Sequence, residues 1–239
     1  MKVEIWSDIA CPYCYIGKRK FENALELFAS KDEVEVIYHS FELDPDAKRD
    51  VDYDVYDYRA AKYGLTREQA IAKQAGLTER SQSVGIELNY DTLILTNTFD
   101  ALRLTHFAAR FGKKKEMIEV LFKAYFTDSK HLGDHQTLID LAATIGLDRD
   151  ETAKVLAGDD YADEVRADER QGERLGIQGV PYFVINGKYG IAGAVPSEMF
   201  LRALHKVSEE ERTLTVLNGS TDHSEDNDCA DGACQVSRD

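Results

Sequence analysis

Apolar and polar residues alternate at the start of the chain: KVEIWS (2–7) interleaves β-forming residues with Lys2, Glu4 and Ser7, which predicts a strand. The period then lengthens. In CPYCYIGKRKFENALELFAS, Tyr15, Ile16, Phe21, Leu25 and Phe28 recur at helical spacing, and EVEVIYHSFEL (33–43) returns to alternation as a second strand. Asp44-Pro45 breaks the pattern, and helical periods dominate from there to about residue 175. Within that stretch Thr66 and Gln69 have the spacing of a capping box, opening a helix to about Val84. Asn97 or Thr98 can cap a helix over NTFDALRLTHFAARFG that closes at Gly112. The pieces 113–127, 134–146, 148–157 and 160–175 also read as helices, with Asp134 and Asp148 as N-caps. Strand chemistry returns in GIQGVPYFVINGKYGIAGA, where PYFVI and KYGIAG flank Asn186-Gly187, the signal of a type I′ hairpin. PSEMFLRALHKVS follows as a helix with Pro196 at or near its first turn. No internal repeat is visible.

The order is thus strand, helix, strand, helical insert, hairpin, helix. Residues 1–44 and 176–207 form the α/β part, arranged as a thioredoxin-like fold, and 45–175 form a large all-helical insertion. Residues 208–239 differ: nine acidic residues against two basic ones, no aromatics, and little apolar content beyond TLTVL. Such a segment buries too little surface to offset the entropy of ordering. It is expected to be a mobile acidic tail, with a short ordered piece at 213–217.

Charge and length narrow the function. The 239 residues carry a net charge of −15, nearly half of it in the tail. Nucleic acid and anionic lipid surfaces call for clustered Lys and Arg, so neither is the expected partner. No apolar run reaches the ~18–20 residues of a membrane span. The opening MKVEIWSDIACPYC has Glu4 and Asp8 where a secretory signal would need an unbroken apolar stretch, so the expected location is the cytoplasm. In a reducing compartment a Cys-x-x-Cys points to catalysis or metal binding rather than to a structural staple.

Cys11 and Cys14 stand between the first strand and the first helix. That places Cys11 at a helix N-terminus, where free backbone N–H groups and the helix dipole favour a thiolate. Pro12 suits the first helical position, where an N–H would have no partner. Cys14, one turn on, can attack a mixed disulfide formed at Cys11. Cys11 is therefore the candidate nucleophile and Cys14 the resolver. The competing reading is a Cys₄ zinc site completed by Cys229 and Cys234, whose spacing falls in the ligand range. Pro12 and the following helix make poor knuckle geometry, and the second pair lies in the tail.

CPYC after a first strand, the helical insert, and Gly179-Val180-Pro181 leading a later strand together resemble the DsbA-like branch of the thioredoxin superfamily. SDIACPYCYIG, the FEL near residue 41 and NTFDALRL are similar to its FrnE-type cytoplasmic members, over about residues 2–207. The resemblance implies a cis proline at Pro181, packed against the dithiol, and a Val180 backbone that pairs with an incoming substrate strand. It implies substrate contacts from Pro12, Tyr13, Val180 and Pro181. Tyr13 stands where periplasmic DsbA has His, so the strongly oxidising character of that enzyme does not carry over. FrnE-like proteins also carry a C-terminal Cys-x4-Cys, which makes Cys229 and Cys234 a candidate auxiliary pair. A flexible coil from residue 208 to 229 reaches roughly 25 Å, enough to approach Cys11.

The expectation is a cytosolic reductase or isomerase of protein disulfides, recharged by the cellular thiol pool or a thioredoxin-type reductant, without metal, nucleotide or other cofactor. A glutathione-dependent isomerase or transferase acting on a small aromatic compound is the alternative. Such relatives use Ser where Cys11 stands. Other polar residues have simpler readings. Trp6 belongs to the core, Asp8 serves loop capping, His39 is structural, and Gly133-Asp134 separates His131 from His135. Asp100 and Arg103 fit either a substrate groove or a solvated helix face.

Overall fold

The structure is a computed structural model and describes residues 1–212. The acidic segment beyond, with Cys229, Cys234 and the piece at 213–217, lies outside the described residues. The elements run β1 (Lys2–Ser7), α1 (Pro12–Glu26), β2 (Glu35–Ser40), then α2 (Val55–Tyr63), α3 (Arg67–Gln82), α4 (Phe99–Ala109), α5 (Lys114–Phe126), α6 (His135–Thr144), α7 (Arg149–Ala157) and α8 (Ala162–Arg174). They close with β3 (Tyr182–Ile185), β4 (Tyr189–Ala192) and α9 (Ser197–Arg212).

The strands form one mixed sheet in the order β2-β1-β3-β4. β1 runs parallel to β2, with Val3 opposite Val36, and antiparallel to β3, with Val3 opposite Ile185. Asn186 and Gly187 at the β3–β4 turn have φ of 51° and 65°, the double positive φ that a type I′ turn requires. Alternation along β1 sends Val3 and Ile5 to one face and Trp6 to the other. On the first face α1 and α9 pack, and Phe21, Phe183 and Phe200 interlock, with the Phe183 and Phe200 rings 4.6 Å apart. On the second, α8 covers Trp6 in a close approach at Gly172, where a Cβ would meet the indole at 3.1 Å.

The helical insert shares its core with the α/β part. Tyr15 of α1 stacks on Phe122 of α5 at 4.9 Å, and a single apolar cluster runs from Val3 to Val207 through both. Beside this contact Lys18, buried on α1, donates to Glu22 and Glu119, joining α1 to α5 by charge as well as by rings.

Local signals predict several boundaries well. Thr66 and Gln69 form both bonds of the capping box, and the Asp134 and Asp148 side chains accept from Thr137 N and Glu151 N. Two readings need correction, and one choice left open resolves in favour of Asn97. A helix at Val55–Tyr63 precedes the one starting at Thr66; Asp54 caps it and Gly64 ends it at φ 63°. Thr98 occupies the N-cap of α4 without a side-chain cap bond, and it is Asn97 Oδ1 that accepts from Phe99 N at 2.8 Å. The last helix extends to Arg212 instead of ending near residue 207, because Glu210 meets Lys188 and Tyr189, and Glu211 meets Asn186, on the hairpin.

Candidate active site

The carboxyl end of β1 delivers the site. After Ser7 the chain turns through Asp8, whose carbonyl accepts from Cys11 N at 3.1 Å. The Asp8 side chain is buried and fixes the turn: Oδ1 accepts from Ala10 N at 3.1 Å and from the Thr98 hydroxyl at 2.7 Å, and Oδ2 from Leu43 N at 2.8 Å. Burial raises its pKa, and these hydrogen bonds only partly offset that pull. Loop capping is therefore what Asp8 does, and it does so with a buried carboxyl group next to the dithiol.

Cys11 occupies the N-cap of α1 in extended conformation (φ −95°, ψ 108°), with Pro12 at the first helical position. Both thiols are free, and Cys11 and Cys14 are 3% and 2% exposed. The Cys11 thiol donates to the Val180 carbonyl across 3.6 Å. Burial pushes the Cys14 thiol well up, and its hydrogen bond to Cys11 and the charge there push the same way; the Asp8 N–H and the Ser7 side chain oppose weakly. Cys14 is therefore held as a thiol.

The Val180–Pro181 peptide bond is cis. Pro181 comes close to α1 because residue 17 is glycine: a Cβ there would lie 3.0 Å from Pro181 Cγ. The Pro181 carbonyl accepts from Gly193 N at 2.8 Å, which ties this loop to the end of the hairpin. Of the four expected substrate contacts, Tyr13 is 43% exposed and Val180 half-buried, whereas Pro12 and Pro181 are buried.

Several neighbours of the dithiol escape sequence reading. A cavity of about 250 Å³ opens beside it, lined by Asp8, Ala10, Arg59, Tyr90, Thr98 and Tyr125 among others. Burial lifts the Tyr90 phenol above its usual range, and Arg59, Cys11 and Tyr13 lie close enough to act on it; its hydroxyl has no hydrogen-bond partner among the described residues. The pairing of Asp54 before and Gly64 after VYDYRAAKY is the signal that could have located Arg59 on a helix.

The remaining candidates settle into structural roles. His39 stacks on Trp6 at 4.3 Å and bonds Asp168 Oδ1 at 2.7 Å, while Ser40 N donates to Asp168 Oδ2 at 2.7 Å. His106 Nε2 lies 3.1 Å from the same carboxylate. Burial raises the Asp168 pKa, but the bonds from His106 and His39 outweigh it and hold the group well below the usual range. Arg103 lines no groove and faces no solvent: it is buried, and its guanidinium donates to the carbonyls of Val155, Gly158 and Asp160 and to Asp100. Asp100 also takes His135 at 2.8 Å, and His131 meets the Arg49 carbonyl at 3.0 Å. Among the described residues no group of three or more His, Cys, Asp or Glu side chains could hold a metal ion.

A β2-β1-β3-β4 sheet, a cysteine pair at the first helix N-terminus and a cis proline facing it define a thioredoxin-like fold. The chain belongs to the DsbA-like thioredoxin domain family, which matches residues 2–205. It is 31% identical over 212 residues to the uncharacterized protein YwbO of Bacillus subtilis (strain 168), covering 88% of this chain and 97% of that one. It is similar to the crystal structure of the probable DsbA oxidoreductase SCO1869 from Streptomyces coelicolor, with 42% identity, a TM-score of 0.86, and 91% and 94% of the two chains covered. The cytosolic disulfide reductase DsbM from Pseudomonas aeruginosa shares the fold at 15% identity, with a TM-score of 0.61 and 88% and 100% coverage. The family is one of thiol-disulfide oxidoreductases. No helix among the described residues is long and apolar enough to cross a membrane.

Proposed function

We propose that the protein is a cytosolic, FrnE-type reductase or isomerase of protein disulfides, with Cys11 as nucleophile and Cys14 as resolver. The observation that carries this reading is the placement of the pair: Cys11 at the N-cap of α1 with its thiol on the Val180 carbonyl, and Cys14 three residues into the helix, where burial pushes its thiol pKa well up. Cys11 as thiolate attacks one sulfur of a substrate disulfide; the new S–S bond forms as the old one breaks, and the leaving thiolate takes a proton. Cys14 then loses its proton and attacks Cys11, releasing the second substrate thiol and leaving a Cys11–Cys14 disulfide. Val180 supplies backbone for an incoming strand, and Tyr13, exposed within the motif, supplies an apolar contact. The cellular thiol pool or a thioredoxin-type dithiol restores the reduced form, with Cys229 and Cys234 as an auxiliary pair in that exchange.

The test is insulin reduction by the reduced protein. Turnover is expected to vanish in Cys11→Ser, and turnover that survives in that variant would refute the assignment. One observation favours the second reading, a glutathione-dependent isomerase acting on small aromatic molecules: the tyrosine-lined cavity beside the dithiol. Activity retained in Cys14→Ser with strict glutathione dependence would support it.

A further inference from the structure

The chain is acidic, but the surface flanking Tyr13 is not. An open groove of about 500 Å³ runs from Tyr13 along α3, and Arg59, Lys73 and Arg80 line it with no carboxylate among them. Cations close by are already matched: Arg67 pairs with Asp54 and Asp57, and Lys62 with Asp44. Arg59, Lys73 and Arg80 have no ion-pair partner among the described residues. Two further donors are unmet. Gln74 is 3% exposed and its Nε2 has no acceptor among the described residues, and the buried Arg59 Nε has none there either. Both atoms are closed off from the groove, so it is the unpaired charge of Arg59, Lys73 and Arg80, with no carboxylate in the lining, that calls for an acidic occupant.

The shape says what kind. Lys73 and Arg80 are seven residues apart on one helix, about 10 Å at 1.5 Å per residue. An extended peptide covers that distance in three to four residues. Tyr63, 58% exposed, joins Tyr13 as a second aromatic surface in the groove. Tyr13, between the two cysteines in sequence, brings the groove to the dithiol, and Arg59 and Tyr63 are shared with the cavity next to Asp8.

We propose that this groove selects polypeptide disulfides flanked by acidic residues. The proposal rests on the reading of the protein as a protein-disulfide reductase and specifies its substrate class. Carboxylates beside the substrate cysteine sit among the Arg59, Lys73 and Arg80 cations, while Tyr13 and Tyr63 take adjoining apolar groups. The attraction raises the encounter rate at Cys11 and fixes which sulfur is presented to it.

Three otherwise identical peptides, each with one disulfide flanked by Glu, Gln or Lys, test this in single-turnover reactions with the reduced full-length protein. The protein dithiol supplies both electrons and ends as the Cys11–Cys14 disulfide, and each peptide ends as a dithiol, so no other reductant enters. The Glu peptide is expected to react about tenfold faster than the Lys peptide at low ionic strength, with the gap shrinking as salt screens the groove. Lys73→Glu with Arg80→Glu should invert the order; Lys73→Gln with Arg80→Gln should flatten it and serves if the reversal variant melts early. Equal rates for all three peptides would overturn the proposal while leaving the reductase reading intact. No reduction of any peptide would overturn that reading as well. A charge-reversed variant that reduces all three faster would also overturn it, since the groove's occupant would then be the chain's own acidic segment beyond residue 212.

Discussion

Replacing Gly17 by alanine separates two effects that the fold sets against each other. In a helix interior Gly→Ala gains about 1 kcal/mol, because glycine loses more backbone entropy. The new Cβ would lie 3.0 Å from Pro181 Cγ and 3.5 Å from Ala194, and the first of these is well inside the usual carbon–carbon separation. Overpacking of this kind costs about 1–3 kcal/mol, so the net change lies between neutral and about 2 kcal/mol destabilising. Gly76, on α3, is the control: a Cβ added there would meet no neighbouring group within 4 Å, so alanine should show the full gain of about 1 kcal/mol. Relief of the Pro181 contact moves the adjoining Val180 carbonyl, now 3.6 Å from Cys11 Sγ. A 1 Å misplacement can cost about 10²-fold in rate, so a shift of a few tenths of an ångström should lower kcat/KM several-fold. Urea melts of both variants and insulin reduction by Gly17→Ala are the measurements. If Gly17→Ala is stabilised as much as Gly76→Ala with undiminished kcat/KM, the close approach of α1 to Pro181 has no functional consequence and the reasoning fails.

Three other substitutions probe the supports of the site. Asp168→Asn breaks a buried charge network and should cost about 3 kcal/mol at neutral pH. Because the folded protein holds Asp168 below its unfolded value, that stability is complete above the usual carboxylate range near ~3.9 and is lost as pH falls through the lower folded value. The difference between wild type and Asp168→Asn in denaturant melts should therefore shrink only on the acid side. Thr98→Val removes a hydroxyl donor from Asp8, costing about 1–2 kcal/mol and raising the Asp8 pKa further, which carboxyl carbon NMR titration would read. Arg103→Met leaves the Val155, Gly158 and Asp160 carbonyls without their donor and should lower stability by about 2–4 kcal/mol in thermal denaturation.

Sequence reasoning reached furthest where the physics is local. A capping box, an N-cap aspartate and an Asn-Gly turn each act within four residues, so Thr66, Asp134, Asp148 and Asn186-Gly187 were readable one at a time. The placement of Cys11 and Cys14 was readable for the same reason, since a strand, Pro12 and a helical period adjoin. Partnerships across the chain were not. His39 and Asp168 are 129 residues apart, and no pattern in either segment announces the other. Arg103 on an amphipathic helix looks like a surface or groove residue until the carbonyls between α7 and α8 fold over it. The end of α9 escaped for a related reason: Glu210 and Glu211 read as tail charge, but the hairpin supplies Lys188, Tyr189 and Asn186 to meet them. The groove beside Tyr13 needs α2 and α3 brought to the dithiol, which only the packed structure shows.

The central claim, that Cys11 attacks substrate disulfides and Cys14 resolves the adduct, is tested most directly by trapping. Reduced Cys14→Ser protein mixed with insulin should accumulate an intermolecular disulfide on a non-reducing gel, and peptide mass spectrometry should place the bond at Cys11. An adduct formed through Cys229 or Cys234, or no adduct under conditions where the wild-type protein reduces insulin, would contradict it.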